Sequence, residues 1–114
     1  MAPGKETKKD EAVSKVTKLA ELANYEEGSI VSATVLDKKS ASVAVYAFDK
    51  FQGIVQHILP YDALFFVLEG EAEVSTSRKR SFVKMGEMIV FPANEPHSVS
   101  AKSRFKMLLI SIKE

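Results

Sequence analysis

Two histidines, His57 and His97, are the only imidazoles in the chain, and there is no cysteine. Thiolate metal ligands, disulfides and cysteine nucleophiles are therefore all excluded. Two imidazoles can share a divalent cation, hydrogen-bond a ligand, or act as acid and base, because their unperturbed pKa lies near ~6.5. A tightly held Fe, Mn, Ni or Zn ion asks for at least a third protein ligand. Gln56 and Asp62 are close enough in sequence to be considered, but strand alternation turns Asp62 away from the face that holds Ala63. Glu69, Glu71 and Glu73 form the densest carboxylate group. They flank a turn, and alternation places Glu71 and Glu73 together on a solvent face.

The elements that must position these residues read as strands. From Gly28 onward the apolar period is two. Runs at Ile30–Leu36, Val43–Phe48, Ile54–Leu59, Leu64–Leu68, Glu71–Ser75, Ser81–Lys84, Met88–Phe91, His97–Ala101 and Phe105–Ile112 are punctuated by Gly, Pro and polar turns. Many short strands at such spacing predict a sandwich or barrel. Closure removes exposed edges, which suits strands this apolar. Upstream, Met1–Asp10 is polar and reads as a flexible arm. Ala12, Val16, Leu19, Ala20 and Ala23 recur at helical spacing and predict a short helix over Glu11–Ala23, with Thr17 as the cap of a shorter alternative over Lys18–Asn24. One domain over 11–114 follows the arm.

Composition narrows the function classes. The 114 residues hold 46% apolar and 27% charged side chains, enough for one core and an ordinary surface. The formal charge is +1. The single basic run, Arg78-Lys79-Arg80, sits at a hairpin tip, so nucleic-acid binding is not expected. No apolar stretch reaches the ~20 residues of a membrane span. No secretory h-region follows the N-terminal Met, and a cytoplasmic location is the expectation.

Two segments go further. His57-Ile58-Leu59-Pro60-Tyr61-Asp62-Ala63-Leu64-Phe65-Phe66-Val67-Leu68-Glu69-Gly70-Glu71 and Gly86-Glu87-Met88-Ile89-Val90-Phe91-Pro92-Ala93-Asn94-Glu95-Pro96-His97 resemble the paired cupin motifs, G-x5-H-x-H-x3,4-E-x6-G and G-x5-P-x-G-x2-H-x3-N. Gly70, Gly86, Pro92 and His97 fall in place, and the resemblance runs from about Asn24 to Ile112. It implies an all-β cupin-type double-stranded β-helix, a jelly-roll barrel, with the short helix at its N-terminal end. His57 falls on the first His position and His97 on the motif-two His. Leu59 and Ala63 stand where the family places a second His and a Glu, so two of four metal ligands are present. A weak two-His site for Fe, Mn, Ni or Zn is the resulting cofactor expectation.

Alternation along the two motif segments adds Leu59, Ala63 and Phe65 in register with His57, and Met88, Val90 and Val99 around His97, as the lining of a mostly apolar ligand pocket. Narrow barrels are also often solid, and these residues would then simply fill the interior. Phe66 should point away from the pocket, and with Tyr46 and Tyr61 it marks a surface for a second copy; the resemblance likewise implies a homodimer. Three readings stay open at this stage. They are a small-molecule-binding cupin, a metal-dependent cupin enzyme (oxygenase or isomerase), and a structural dimerisation module.

Overall fold

A computed structural model describes residues 5–7, 14–77 and 79–113; at 5–7 and at His57 it describes the backbone alone. The strands are β1 (Lys5–Thr7), β2 (Ile30–Asp37), β3 (Ala41–Phe48), β4 (Gly53–His57), β5 (Asp62–Glu69), β6 (Glu71–Thr76), β7 (Arg80–Lys84), β8 (Met88–Phe91), β9 (His97–Ser100) and β10 (Phe105–Ile112). They form a six-stranded sheet in the order β1-β2-β3-β10-β5-β8 and a four-stranded sheet in the order β4-β9-β6-β7. The period-two segments all become strands, with ends moved by a residue or two.

The facing sides of the two sheets enclose the main core. Alternation sends Ala63, Phe65 and Val67 of β5, Phe105, Met107 and Leu109 of β10, Ala72 and Val74 of β6, and Val99 of β9 inward, all buried. Phe105 stacks on Phe48 at 4.5 Å and 15°, and Phe65 meets Phe91 edge-on at 5.6 Å. Aromatic pairs of this kind add to the burial of their large apolar areas.

The six-stranded sheet carries a second cluster on its outer face. Val31, Ala33, Val45 and Ala47 are buried there beneath Leu22, Ala23 and Tyr25. This is where the expected N-terminal helix needs correcting, because the described residues before β2 contain only a single 3-10 turn, Leu19–Glu21. Ser14 takes a positive φ of 57°, and the Thr17 hydroxyl bonds back to the Lys15 carbonyl instead of capping a helix. These local bends break the 3.6-residue period, and one short turn cannot repay helix nucleation. Val16 is left fully exposed while Ala23 is 1% exposed, so the segment is pinned by its last residues. Lys5–Thr7 pairs in parallel with Val31–Ala33 as an edge strand. Residues 1–4, 8–10 and the first part of the expected helix, 11–13, lie outside the described residues.

Candidate functional site

His97 opens β9 with 6% exposure, and its ring stacks on Phe91 at 4.2 Å and 5°. The loop before it is fixed from the β4–β5 connection. The Asn94 N–H donates to the Leu59 carbonyl at 2.7 Å, and the Ala93 N–H donates to Asp62 Oδ1 at 2.8 Å. Asn94 holds a φ of 66° at the position where the second cupin motif has Gly. Asn is the residue that most readily replaces Gly in that conformation. Asp62 is exposed and clamps this loop, so it does not serve as an inward carboxylate. Glu95 completes the loop, its carbonyl 3.4 Å from His97 Nδ1.

The backbone ladder sets His57 opposite His97. Between Ile54 and His57 the β4 register slips by one residue against β9, a bulge that places both Val55 and Gln56 in the open. Without it, strict alternation from the buried Ile54 would bring Gln56 to the inner face. The His57 side chain lies outside the described residues.

Around His97 the structure gathers Ile54, Leu59, Ala63, Phe65, Phe91, Val99, Met107 and Leu109. Leu59, Ala63, Phe65 and Val99 were expected on the inner face and stand there. Met88 and Val90 do not. They are 47% and 48% exposed on the outer face, while Ile89 and Phe91 turn inward. Met88 and Val90 have the opposite parity to His97, and β8 pairs Met88 with the outward Phe66 and Val90 with the outward Leu64. Met107 and Leu109 had a readable signal in Lys106, whose position between Phe105 and Met107 marks the other face of β10. The space these residues leave is small. About 10 Å³ is open to the centre of a water molecule, roughly room for one.

A larger cleft lies beyond it. Ser42, Ala44 and Tyr46 of β3, Leu109 and Ser111 of β10, and Leu59 and Tyr61 from the β4–β5 connection surround about 230 Å³. Ser42 and Ser111 are direct cross-strand partners. Leu59 and Leu109 belong to both spaces and form the wall between them. Tyr46 and Tyr61, expected at a partner surface, face this cleft instead, because Tyr46 is in register with Met107 on the inner side.

Two of the three carboxylates near the β5–β6 turn, Glu69 and Glu73, have partners. Glu73 pairs with Arg80 at 3.2 Å and Lys102 at 3.7 Å. Glu69 Oε2 accepts from the Tyr25 hydroxyl at 2.7 Å, and burial followed by that carboxylate pushes the phenol above its ordinary range. The Tyr25 ring lies within 5.1 Å of the Arg104 guanidinium and 5.0 Å of the Lys106 ammonium. Arg104 Nε donates to Asp49 Oδ1 at 2.8 Å, and the Gly28 N–H donates to Asp49 Oδ2 at 2.7 Å. Together, Arg104 first, these hold the Asp49 carboxyl down at about 2. This cluster ties residues 20–28 to the barrel and presents no nucleophile.

The side chains are a poor fit to a cupin metal. Leu59 and Ala63 line the His97 cavity at the two positions where the motif calls for His and Glu, and neither can donate. Among the described residues no group of three or more His, Cys, Asp or Glu converges.

A family model for the cupin domain matches residues 47–113, more than half of the chain. The chain is a cupin. A conserved protein of unknown function from Streptococcus pyogenes is 33% identical to this cupin, with a TM-score of 0.84 and 89% of each chain covered. A cupin 2 conserved barrel domain protein from Leptotrichia buccalis is 42% identical with a TM-score of 0.80. That match covers 83% of this chain and 46% of the Leptotrichia chain, so this cupin spans about half the length of that relative. A cupin superfamily protein from Desulfitobacterium hafniense shares the fold at 22% identity and a TM-score of 0.84. No curated protein matches. Among the described residues no helix is long and apolar enough to cross a membrane.

Proposed function

We propose that this cupin binds a small organic molecule at the Leu59 end of its barrel, without relying on a tightly held metal. One observation carries the reading. The positions that in the motif would close a metal site are filled by Leu59 and Ala63, and the open space at that end is the cleft outside them. A concave site that combines apolar walls with a few convergent hydroxyls is a common form of small-molecule pocket. His97 is left behind the wall as a hydrogen-bonding or acid–base group. The oxygenase or isomerase reading needs a third ligand that Leu59 and Ala63 cannot supply. The cysteine-free composition suits a cytoplasmic location.

The test is a fragment screen against the full chain by methyl NMR. Hits should cluster on Leu59 and Leu109. A screen in which no compound perturbs either residue refutes the proposal.

A second reading, homodimerisation, has its own support. Outside the region covered by residues 20–25, the outer face of the six-stranded sheet presents Leu64, Phe66, Met88, Val90, Ile110 and Ile112. In the ladder Phe66 is paired with Met88, and Leu64 with Val90. An apolar face can be self-complementary, as a two-fold dimer requires.

A further inference from the structure

We infer that the cleft of Ser42, Tyr46, Tyr61 and Ser111 takes an electrically neutral molecule with an apolar body and a hydrogen-bonding head, and that Leu59 keeps this ligand off His97. The inference rests on the small-molecule reading above and specifies its ligand. Ser111 is 5% exposed, lines the cleft, and its hydroxyl has no hydrogen-bond partner among the described residues. Buried polar groups in folded proteins almost always have a partner, so an unpartnered one facing a cleft marks where a ligand head would sit. Ser42 stands directly opposite Ser111 in the ladder. Tyr61 supplies a further hydroxyl.

The chemistry of the lining selects the class. Hydroxyls donate and accept with equal ease, so the site suits an amide, alcohol or carbonyl. The described lining carries no charged side chain. Bringing a carboxylate or ammonium into it would strip hydration from the charge with no counter-charge in return. Ala44, Leu59 and Leu109, with the two tyrosine rings, suit an apolar body. The cleft, about 230 Å³ open to the centres of water-sized groups against about 10 Å³ for the inner space, has room for a small ring-sized molecule. Leu59 and Leu109 wall off the inner space, which is too small to admit such a ligand.

Benzamide, benzoate and benzylammonium have similar size and shape and differ in charge. The full-length, isotope-labelled protein is titrated with each at neutral pH. Benzamide is expected to shift Ser42, Ser111 and the Leu59 and Leu109 methyls saturably, with the two ions binding at least about tenfold more weakly. Ser111→Ala is expected to weaken benzamide about three- to tenfold while preserving the rest of the spectrum. Ser42→Ala serves in its place if Ser111→Ala perturbs the fold. Equal or tighter binding of either ion overturns the neutral class and leaves the small-molecule reading standing. Contact with the His97 ring by direct ligand–protein NOE overturns the wall. Failure of benzamide to reach the cleft overturns this inference. The small-molecule reading falls with it only if the wider fragment screen also leaves Leu59 and Leu109 unperturbed.

Discussion

Replacing Gly70 by Ala should be far more damaging than the same change at Gly86. Both glycines sit at positive φ, +79° and +85°. An L-residue in that region costs ~1–2 kcal/mol, and the entropy gained by stiffening the unfolded chain is common to both variants. What differs is the space. A Cβ at Gly86 meets nothing within 4 Å, whereas at Gly70 it would overlap the Arg104 carbonyl and press on Phe105 at 3.1 Å. Neither neighbour yields cheaply, because Phe105 is fully buried in its stack on Phe48 and Arg104 is tied to Asp49. Forcing extra volume into a packed site costs ~1–3 kcal/mol beyond the strain. For a domain of this size that corresponds to a further fall in melting temperature of roughly 4–15 °C for Gly70→Ala relative to Gly86→Ala. Differential scanning calorimetry of the two variants side by side measures it. Equal losses would mean that the β5–β6 turn does not rest against the β9–β10 loop as described.

Three further outcomes are expected. The Asp49 carboxyl is depressed to about 2, so its contribution is fully present above the unfolded value near ~3.9 and is lost as the pH falls through about 2. Asp49→Asn should therefore flatten the decline in melting temperature between about pH 4 and pH 2, and an unchanged slope refutes the assignment. Leu59→His should give the chain a third imidazole beside His97, and elemental analysis after incubation with Ni(II) or Zn(II) should find more retained metal than in wild type. No gain would mean that donor count is not what limits binding. Val90→Lys places a charge on the outer apolar face at a half-exposed position, and it should lower the sedimentation coefficient to that of a monomer at micromolar concentration without lowering stability by more than about 0.5 kcal/mol. Wild type sedimenting as a monomer under the same conditions removes the dimer reading.

The strands and their inner faces were legible because each has a clean alternation bounded by Gly, Pro or polar turns. Gly70 was readable as a turn residue, but the close approach of the β9–β10 loop was not, since it joins positions far apart in sequence. Ala63, Phe65 and Val99 were found on the inner face because their own strands fix their parity, and His97 and Leu59 because of their places in the motifs. Met88 and Val90 were misplaced because Met88-Ile89-Val90-Phe91 is apolar at every position, so the run itself does not say which parity faces in. The N-terminal helix failed for a different reason. Ala12, Val16, Leu19 and Ala23 have helical spacing, yet among the described residues Val16 is fully exposed, and tertiary contact at Leu22, Ala23 and Tyr25 decides the shape of the segment. The Ser111 cleft could not be read from one strand at all. It is assembled from β3, β10 and the β4–β5 connection, elements that the sequence separates and the barrel brings together.

The place of β10 in the six-stranded sheet has a consequence for synthesis. It lies between β3 and β5 and pairs with both, so these two strands have no ladder partner on that side until it arrives. A growing chain that ends anywhere before Phe105 holds two exposed edges rich in Val, Ala and Phe, with Phe48 and Phe65 uncovered. The barrel cannot zip up progressively from its N-terminal end, and its last-made strand is the keystone. Release of residue 112 from the ribosome is then the event that permits folding, and a stalled or truncated chain should be prone to aggregation and dependent on chaperones.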